Sequence, residues 1–448
     1  MTPIAVRITR LLAVTAILLA TVLSGCTQDS DAPSQPADVA TDIGSADTVP
    51  GEEDAAMDCP SKCDDWLACT DDFCDTATGT CVYKAVLGEC TEPIPTNALE
   101  VGPYLQWAIQ TEATIMWETT ERCVGAVLLS KVGDSVWTPH LEGSFETIHE
   151  ITVSDLTPGT EYAYRIRPCL DDEPVPEQWA FETFPESSDS YVFSVWGDSQ
   201  DHPEVLSDLA EMMWDDGTRF AVAVGDVVSD GEVKEQWKEL LFDSIASFSP
   251  YIPFFGAMGN HERNAEWLYK YYHLPEPETR FAFTYGPARF VVINGVTAYS
   301  MFDPQGAWLA EETESPEWKE ASYRFVFFHE MPITNLWGHD KIDGEPLIRK
   351  VLMPQIEDKG VSVLFTGHAH CYERGYLPAG LGMFLVVTGG GGGGLDTVVS
   401  GDWPEITVAE SKYHYTRVTV TPETAVVTAI ALDGSELDTF DVLPGPIE

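Results

Sequence analysis

From about residue 190 onward, short apolar runs recur, and nearly every one ends in a polar residue able to bind a metal ion. The runs are Tyr191–Trp196, Phe220–Val224, Phe290–Asn294, Tyr323–Phe328 and Val361–Phe365. Each has the length of a strand buried on both faces, which reads as a continuous apolar stretch rather than an alternating one. Helical stretches lie between them, among them Pro203–Trp214 and Val233–Ile245. Strands alternating with helices predict one α/β domain over 190–448. Open sheets of this kind bind their ligands beyond the carboxyl ends of the strands.

The residues at those ends carry the chemistry. Trp196-Gly-Asp198 closes the first run and Gly225-Asp226 the second. Met258-Gly-Asn260-His261-Glu262, Phe328-His329-Glu330 and Thr366-Gly-His368-Ala-His370-Cys-Tyr-Glu-Arg374 follow in order. Carboxylates, an amide oxygen and imidazoles form a mixed hard and borderline donor set. Such a set suits iron, zinc or manganese better than calcium or thiophilic metals. A lone histidine at a strand end is more commonly a hydrogen-bonded turn residue. His329 becomes a ligand candidate only in the company of the other motifs.

Taken together, these segments resemble the calcineurin-like metallophosphoesterases and, within them, the purple acid phosphatases. The resemblance runs from about residue 98 to the end. It includes Phe384-Leu-Val-Val-Thr-Gly389 leading into glycines through Gly394. It implies an α/β fold, a four-layer metallophosphoesterase α-β-β-α sandwich. It also implies two metal ions, divalent or of mixed valence, drawn from Fe, Zn and Mn. Asp198 and His370 would hold the first ion, Asn260, His329 and His368 the second, and Asp226 would bridge them. A bridging carboxylate sets two metals roughly 3.5–4 Å apart, the spacing for in-line displacement at phosphorus.

The implied reaction is acid phosphatase-like hydrolysis of a phosphate monoester, with in-line attack by a hydroxide that the metals hold. His261 would steady the phosphate or protonate the leaving oxygen. His339, beyond His329 on an expected loop, is a further candidate for contact with the substrate phosphate. Tyr372, Glu373 and Arg374 are expected to brace their loop, and Cys371 to be a buried spectator thiol. His202 and His273 are expected at the surface.

Two positions depart from the family pattern. Purple acid phosphatases carry a tyrosine three residues after the bridging aspartate. Ser229 stands there, so no purple charge-transfer band is expected. Other branches place a histidine two residues after the first aspartate, where this chain has Gln200. Its amide oxygen is a candidate weak, neutral metal ligand, which would leave the first ion less tightly held. Two rival functions share these residues: a phosphodiesterase or nucleotidase on the same scaffold, and a catalytically inactive surface binding protein.

The preceding segments point outside the cytoplasm. Arg7 and Arg10 precede the apolar run Leu11–Leu23, too short to span a bilayer, and the run ends in Leu23-Ser24-Gly25-Cys26. That ending resembles a lipoprotein signal, which implies cleavage after residue 25 and lipidation of Cys26. The chain is then expected to be tethered to the cell envelope, at the outer membrane or cell surface in a Gram-negative cell. Residues 26–58 read as a disordered acidic linker. Cys59, Cys63, Cys69, Cys74, Cys81 and Cys90 crowd the segment 59–91, which has little apolar content and reads as disulfide-rich. Over 97–186, short alternating strands separated by turns predict an all-β domain. It resembles a fibronectin type III module and the domain that precedes purple acid phosphatase catalytic domains. Trp117 would plug its core, and Cys123 and Cys169 are a candidate disulfide pair.

Charge narrows the partners. Against 24 Lys and Arg stand 73 Asp and Glu, a formal net charge of -49. Such a surface repels nucleic acid at long range, so the expected partner is a small phosphate ester, with weak activity on DNA or RNA.

Overall fold

The computed structural model describes residues 70–75, 80–85, 99–170, 175–187, 190–296, 304–337, 344–397 and 403–445. Cys26, the acidic linker and His339 lie outside the described residues. Within the cysteine-rich segment only two strands are described, β1 (Thr70–Asp75) and β2 (Thr80–Ala85), which form a two-stranded sheet. The disulfide framework expected there also lies outside the described residues.

Seven strands follow: β3 (Leu99–Gln106), β4 (Ala113–Cys123), β5 (Ala126–Lys131), β6 (Thr138–Leu141), β7 (Glu146–Val153), β8 (Glu161–Arg167) and β9 (Trp179–Glu182). They form two sheets, ordered β3-β4-β7 and β6-β5-β8-β9, with every pairing antiparallel. Residues of both sheets share one core around Trp117, Leu105, Ile115, Val127, Ile151 and Tyr164. Trp117 is fully buried in that core, the place expected of it. Cys123, which ends β4, and Cys169, just after β8, are disulfide-bonded.

The α/β region holds β10 (Tyr191–Trp196), β11 (Ala221–Ala223), β12 (Phe254–Gly256), β13 (Phe281–Tyr285), β14 (Ala288–Val292), β15 (Tyr323–Glu330) and β16 (Val363–Gly367). It continues with β17 (Tyr372–Leu377), β18 (Met383–Thr388), β19 (Ile406–Glu410), β20 (His414–Val420), β21 (Ala425–Ala431) and β22 (Glu436–Val442). One six-stranded sheet runs β12-β11-β10-β20-β21-β22 and a seven-stranded one runs β13-β14-β15-β16-β18-β17-β19. Phe193, Val195 and Phe220 from the first share a core with Phe290, Phe325, Phe327 and Phe365 from the second. The alternate residues Val291, Val326, Phe328 and Leu364 pack in a second core with Leu309, Trp318, Leu352 and Ile356. Strands with both faces covered explain why these segments read as unbroken apolar runs. Helix Pro203–Asp215 begins on its proline and buries Leu206, Leu209, Ala210 and Met213, one face at helical spacing. The helix expected at 233–245 is a short α segment, Lys234–Gln236, running into a π-helical stretch, Trp237–Phe242.

The β-sandwich is joined to this region by buried polar contacts. Glu118 on β4 accepts from Lys234 Nζ and, at 2.7 Å, from the Tyr271 hydroxyl. The Tyr104 hydroxyl donates to the Tyr271 carbonyl at 2.9 Å, and the Leu105 N–H to the Ser249 carbonyl at 2.8 Å. These contacts brace the segments beside the loop carrying Asn260.

Candidate metal centre and active-site cleft

Asp198, Asp226 and Asn260 follow β10, β11 and β12, which run parallel; His329 lies in β15, and His368 and His370 follow β16, parallel to β15. The six residues therefore meet beyond the carboxyl ends of strands from both sheets. The β15–β16 register breaks between Phe327 and Glu330, an irregularity that re-aims His329. Asp198, Asp226 and His368 hold φ values of +56, +53 and +69, the left-handed region. Each costs about 1–3 kcal/mol and persists only where its surroundings over-determine it. Gly225, at φ +95, is required by close packing: a Cβ there would lie 2.7 Å from His329 Nδ1 and 2.8 Å from Gly259.

Donors converge on His329. Its Nε2 lies 3.0 Å from Asp226 Oδ2, 3.1 Å from Asn260 Oδ1 and 3.2 Å from His368 Nδ1. The opposite ring nitrogen donates to the Val224 carbonyl at 2.8 Å, which aims Nε2 at the centre. His370 repeats the device, with Nδ1 donating to the Gly394 carbonyl at 2.8 Å. Its Nε2 faces Asp198 Oδ1 at 3.6 Å and the side-chain amide nitrogen of Gln200 at 3.3 Å. Gln200 is buried, and its Oε1 makes no hydrogen bond. A half-turn of that amide brings the oxygen to the same point.

Charge in this cluster is unbalanced in the way a cation relieves. Burial pushes the Asp198 carboxyl up to about 7, even with His329 and His370 opposing the shift. Burial also works against the Asp226 charge, but His329 and the His261 backbone hold that carboxyl down to about 2. Burial lowers His368 to about 3, so its ring is neutral and ready to donate. Against the same burial, the neighbouring carboxylates shift His329 and His370 the other way, toward the charged form, and a bound cation would take the place of those protons. Carboxylates, amides and imidazoles gathered at this range, with Asp226, His329 and His368 offering atoms within 4.8 Å of one another, suit a metal ion.

His261 lies at the mouth. Its Nδ1 donates to the Ser229 carbonyl at 2.7 Å, and its Nε2 stands 4.0 Å from Asp226 Oδ2. The Ser229 hydroxyl donates to the Gln200 carbonyl at 2.5 Å, so it ties two ligand loops together. Tyr372 and Arg374, expected to brace a loop, lie instead in β17 and tie it to β22 through Asp438, at 2.8 and 2.5 Å. Cys371 is a buried, unpaired thiol. His202 is half-buried, and His273, also half-buried, meets Glu150 of the sandwich at 2.8 Å.

Three acids escaped the sequence reading. Glu262 accepts N–H bonds from Val227 (2.7 Å), Asp226 (3.0 Å) and Gly259 (2.6 Å), joining the two loops that carry Asp226 and Asn260. Its signal was its place directly behind Asn260-His261. Asp396 Oδ2 accepts the His370 N–H at 2.9 Å. Glu345 Oε1 lies 3.8 Å from His368 Nε2, the ring nitrogen turned away from the centre. A cleft of about 390 Å³ opens over the cluster, lined by His261, Trp337, Asp201 and Asp396 beside the ligands. No described sandwich residue lines it.

Comparison with known proteins agrees with this geometry. Residues 193–372 match the family described as Calcineurin-like phosphoesterase. The chain carries a calcineurin-like metallophosphoesterase domain. Residues 96–188, the β-sandwich, match a domain of unknown function, DUF7800. Similar curated proteins include a purple acid phosphatase of Glycine max, 26% identical over 253 residues, covering 51% of this chain and 52% of that one. Phosphoenolpyruvate phosphatase of Allium cepa is 25% identical, covering 51% and 50%. Fe(3+)-Zn(2+) purple acid phosphatase 12 of Arabidopsis thaliana is 25% identical, covering 51% and 52%. The chain spans about half the length of the curated relatives it matches. Among solved structures, a purple acid phosphatase from yellow lupin (Lupinus luteus) shares the fold with a TM-score of 0.68 at 15% identity, covering 81% of this chain and 76% of its own.

Proposed function

We propose that this metallophosphoesterase domain hydrolyses phosphate esters, monoesters foremost, at a centre of two metal ions drawn from Fe, Zn and Mn. The observation that carries the reading is the convergence of Asp226, Asn260 and His368 on His329, with Asp198, Gln200 and His370 adjoining. Relatives named for phosphatase activity, one of them for Fe(3+) and Zn(2+), support the reaction class. Asp198, Gln200 and His370 would hold one ion, Asn260, His329 and His368 the other, and Asp226 both. Bound ions of this kind neutralise phosphate oxygens and acidify an attacking water.

The chain's own residues supply the rest. The Ser229 carbonyl fixes the His261 ring through Nδ1 and leaves Nε2 facing the cleft, where it can protonate a leaving alkoxide. Glu262 holds Asp226 and Asn260 in register, and Asp396 does the same for His370. With Ser229 bonded to backbone, no phenolate faces the first ion, and a ferric form would lack the purple band.

Two sheets sharing one core, each packed with helices, support the four-layer reading of the domain. The strand orders β3-β4-β7 and β6-β5-β8-β9 support a fibronectin type III-like sandwich. Export, lipidation at Cys26 and a site at the cell envelope complete the proposal from the sequence.

The test uses protein stripped of metal, reloaded separately with zinc, manganese or ferrous iron, and offered one chromogenic monoester and one diester. Metal-dependent monoester turnover that is absent in Asp226→Asn supports the reading. A diester preference promotes the phosphodiesterase alternative. Folded, metal-loaded protein that turns over neither ester overturns the assignment.

A further inference from the structure

We propose that the cleft selects phosphate esters of amino alcohols, substrates whose alcohol portion carries a protonated or quaternary amine. This inference rests on the hydrolase reading above and names its substrate class.

Three features of the cleft carry it. First, Trp337 lines the opening, its ring centroid 4.8 Å from that of His368 in an edge-on contact. An indole wall beside the reacting phosphate is a good partner for an alkylammonium group. Second, carboxylates stand around it. Asp201 is fixed by the Gly394 N–H at 3.2 Å and Asp396 by the His370 N–H at 2.9 Å, and both line the cleft. Third, among the described residues lining the cleft there is no lysine or arginine. A substrate with a second anionic group would meet these carboxylates.

Selectivity here therefore has an attractive element, Trp337 with the carboxylates, and a repulsive one, the same carboxylates facing an anion. The net charge of -49 acts in the same direction, because the ammonium leaves the ester one unit less negative than an uncharged isostere and so less strongly repelled. A volume of about 390 Å³ leaves room for a phosphate and a short alcohol. In the reaction, the P–O bond to the amino alcohol breaks and the oxygen of water joins phosphorus. One proton returns to the alcohol oxygen, so the products are inorganic phosphate and the free amino alcohol, still cationic.

The experiment compares kcat/KM of the metal-loaded full chain on choline phosphate, on its uncharged isostere 3,3-dimethylbutyl phosphate and on anionic 3-phosphoglycerate. Choline phosphate should exceed the isostere by about tenfold, a cation–π and charge effect, and 3-phosphoglycerate should be slowest. Trp337→Leu and Asp201→Asn should each cut the choline-to-isostere ratio by about threefold, chiefly through KM, and added salt should narrow it. Equal rates for the charged and uncharged isosteres, or a ratio that neither variant moves, would overturn the subsite. Failure to turn over any ester would count against the hydrolase reading alone. In that case calorimetric binding of choline phosphate against the isostere decides the subsite, equal affinity sinking it.

Discussion

Around His329, three donors stand within 3.0–3.2 Å of one ring nitrogen. Around His370, the nearest are the Gln200 amide at 3.3 Å and Asp198 at 3.6 Å. His329 itself is fully buried while His370 remains 20% exposed, but the other members reverse this, Asn260 being exposed and Asp198 and Gln200 buried. The two halves also differ in residue type. One half has an amide and two imidazoles around the shared carboxylate. The other has a second carboxylate, Asp198, with one imidazole and the neutral amide of Gln200. Donor atoms already gathered at short range bind an ion with less rearrangement than donors that stand further apart. The His329 half should therefore retain metal when the His370 half has lost it.

The largest effects should come from breaking each half in turn. With His370→Ala, gel-filtered protein should keep about one equivalent of metal. With His329→Ala it should keep less than one, because the remaining half cannot hold an ion firmly. Turnover should fall by about 10³-fold or more in both, since in-line displacement needs both ions. Metal analysis beside the rates checks this, and equal retention by the two variants would erase the asymmetry.

A smaller effect sharpens the comparison at Gln200. Removing the amide in Gln200→Ala should weaken the first ion by at least the roughly 10–100-fold that loss of an outer-shell partner costs. Gln200→His should tighten it, by supplying an imidazole. Chelator competition reads both. An unchanged affinity in the alanine variant would reduce Gln200 to a hydrogen-bonding neighbour of His370.

Glu345 comes next. His368 directs Nδ1 to the centre and leaves Nε2 3.8 Å from the Glu345 carboxylate. An outer carboxylate of this kind fixes ring orientation and raises ligand basicity. Glu345→Gln should lower affinity about tenfold at the His329 half only, and the same chelator titration distinguishes the halves.

How much of this was legible beforehand depends on the length scale of each cause. Ligands such as Asp198 and His329 could be read because the chemistry demands particular residue types and the strand ends supply the place. The strands themselves could be read because burial on both faces leaves an unbroken apolar run. Strand pairing could not: β20 lies against β10, more than 200 residues earlier in the chain, and local periodicity does not report a partner. Glu262, Asp396 and Glu345 were opaque for a related reason. Each works through a contact with a ring or backbone N–H distant in sequence, 36 residues away for Glu262 and Asp226, and an exposed acid has the same local signature. Gln200 lies between these cases, suggested by its place in a motif and given substance by a buried oxygen with no hydrogen bond.

The smallest effect concerns Glu373, behind the His370 loop and outside both halves. Burial pushes this carboxyl up to about 7, against hydrogen bonds from Asn335, Thr334 and Leu336 that favour its charge. Its folded value thus lies above that of an unfolded glutamate, so between about pH 4.5 and 7 the folded state binds more protons than the unfolded one. Stability contributed by this group is complete below that window and is lost as pH rises through it. Glu373→Gln removes the titration while keeping an acceptor for the Asn335 N–H. In metal-free protein, urea unfolding at pH 5 and pH 7 should show wild-type stability falling more than that of the variant, by on the order of 1–2 kcal/mol. The difference should persist whichever half of the centre has been disabled, because Glu373 belongs to neither. A parallel decline in both proteins would mean that the group ionises in the folded state at its ordinary pH, with the loop opening to water around it.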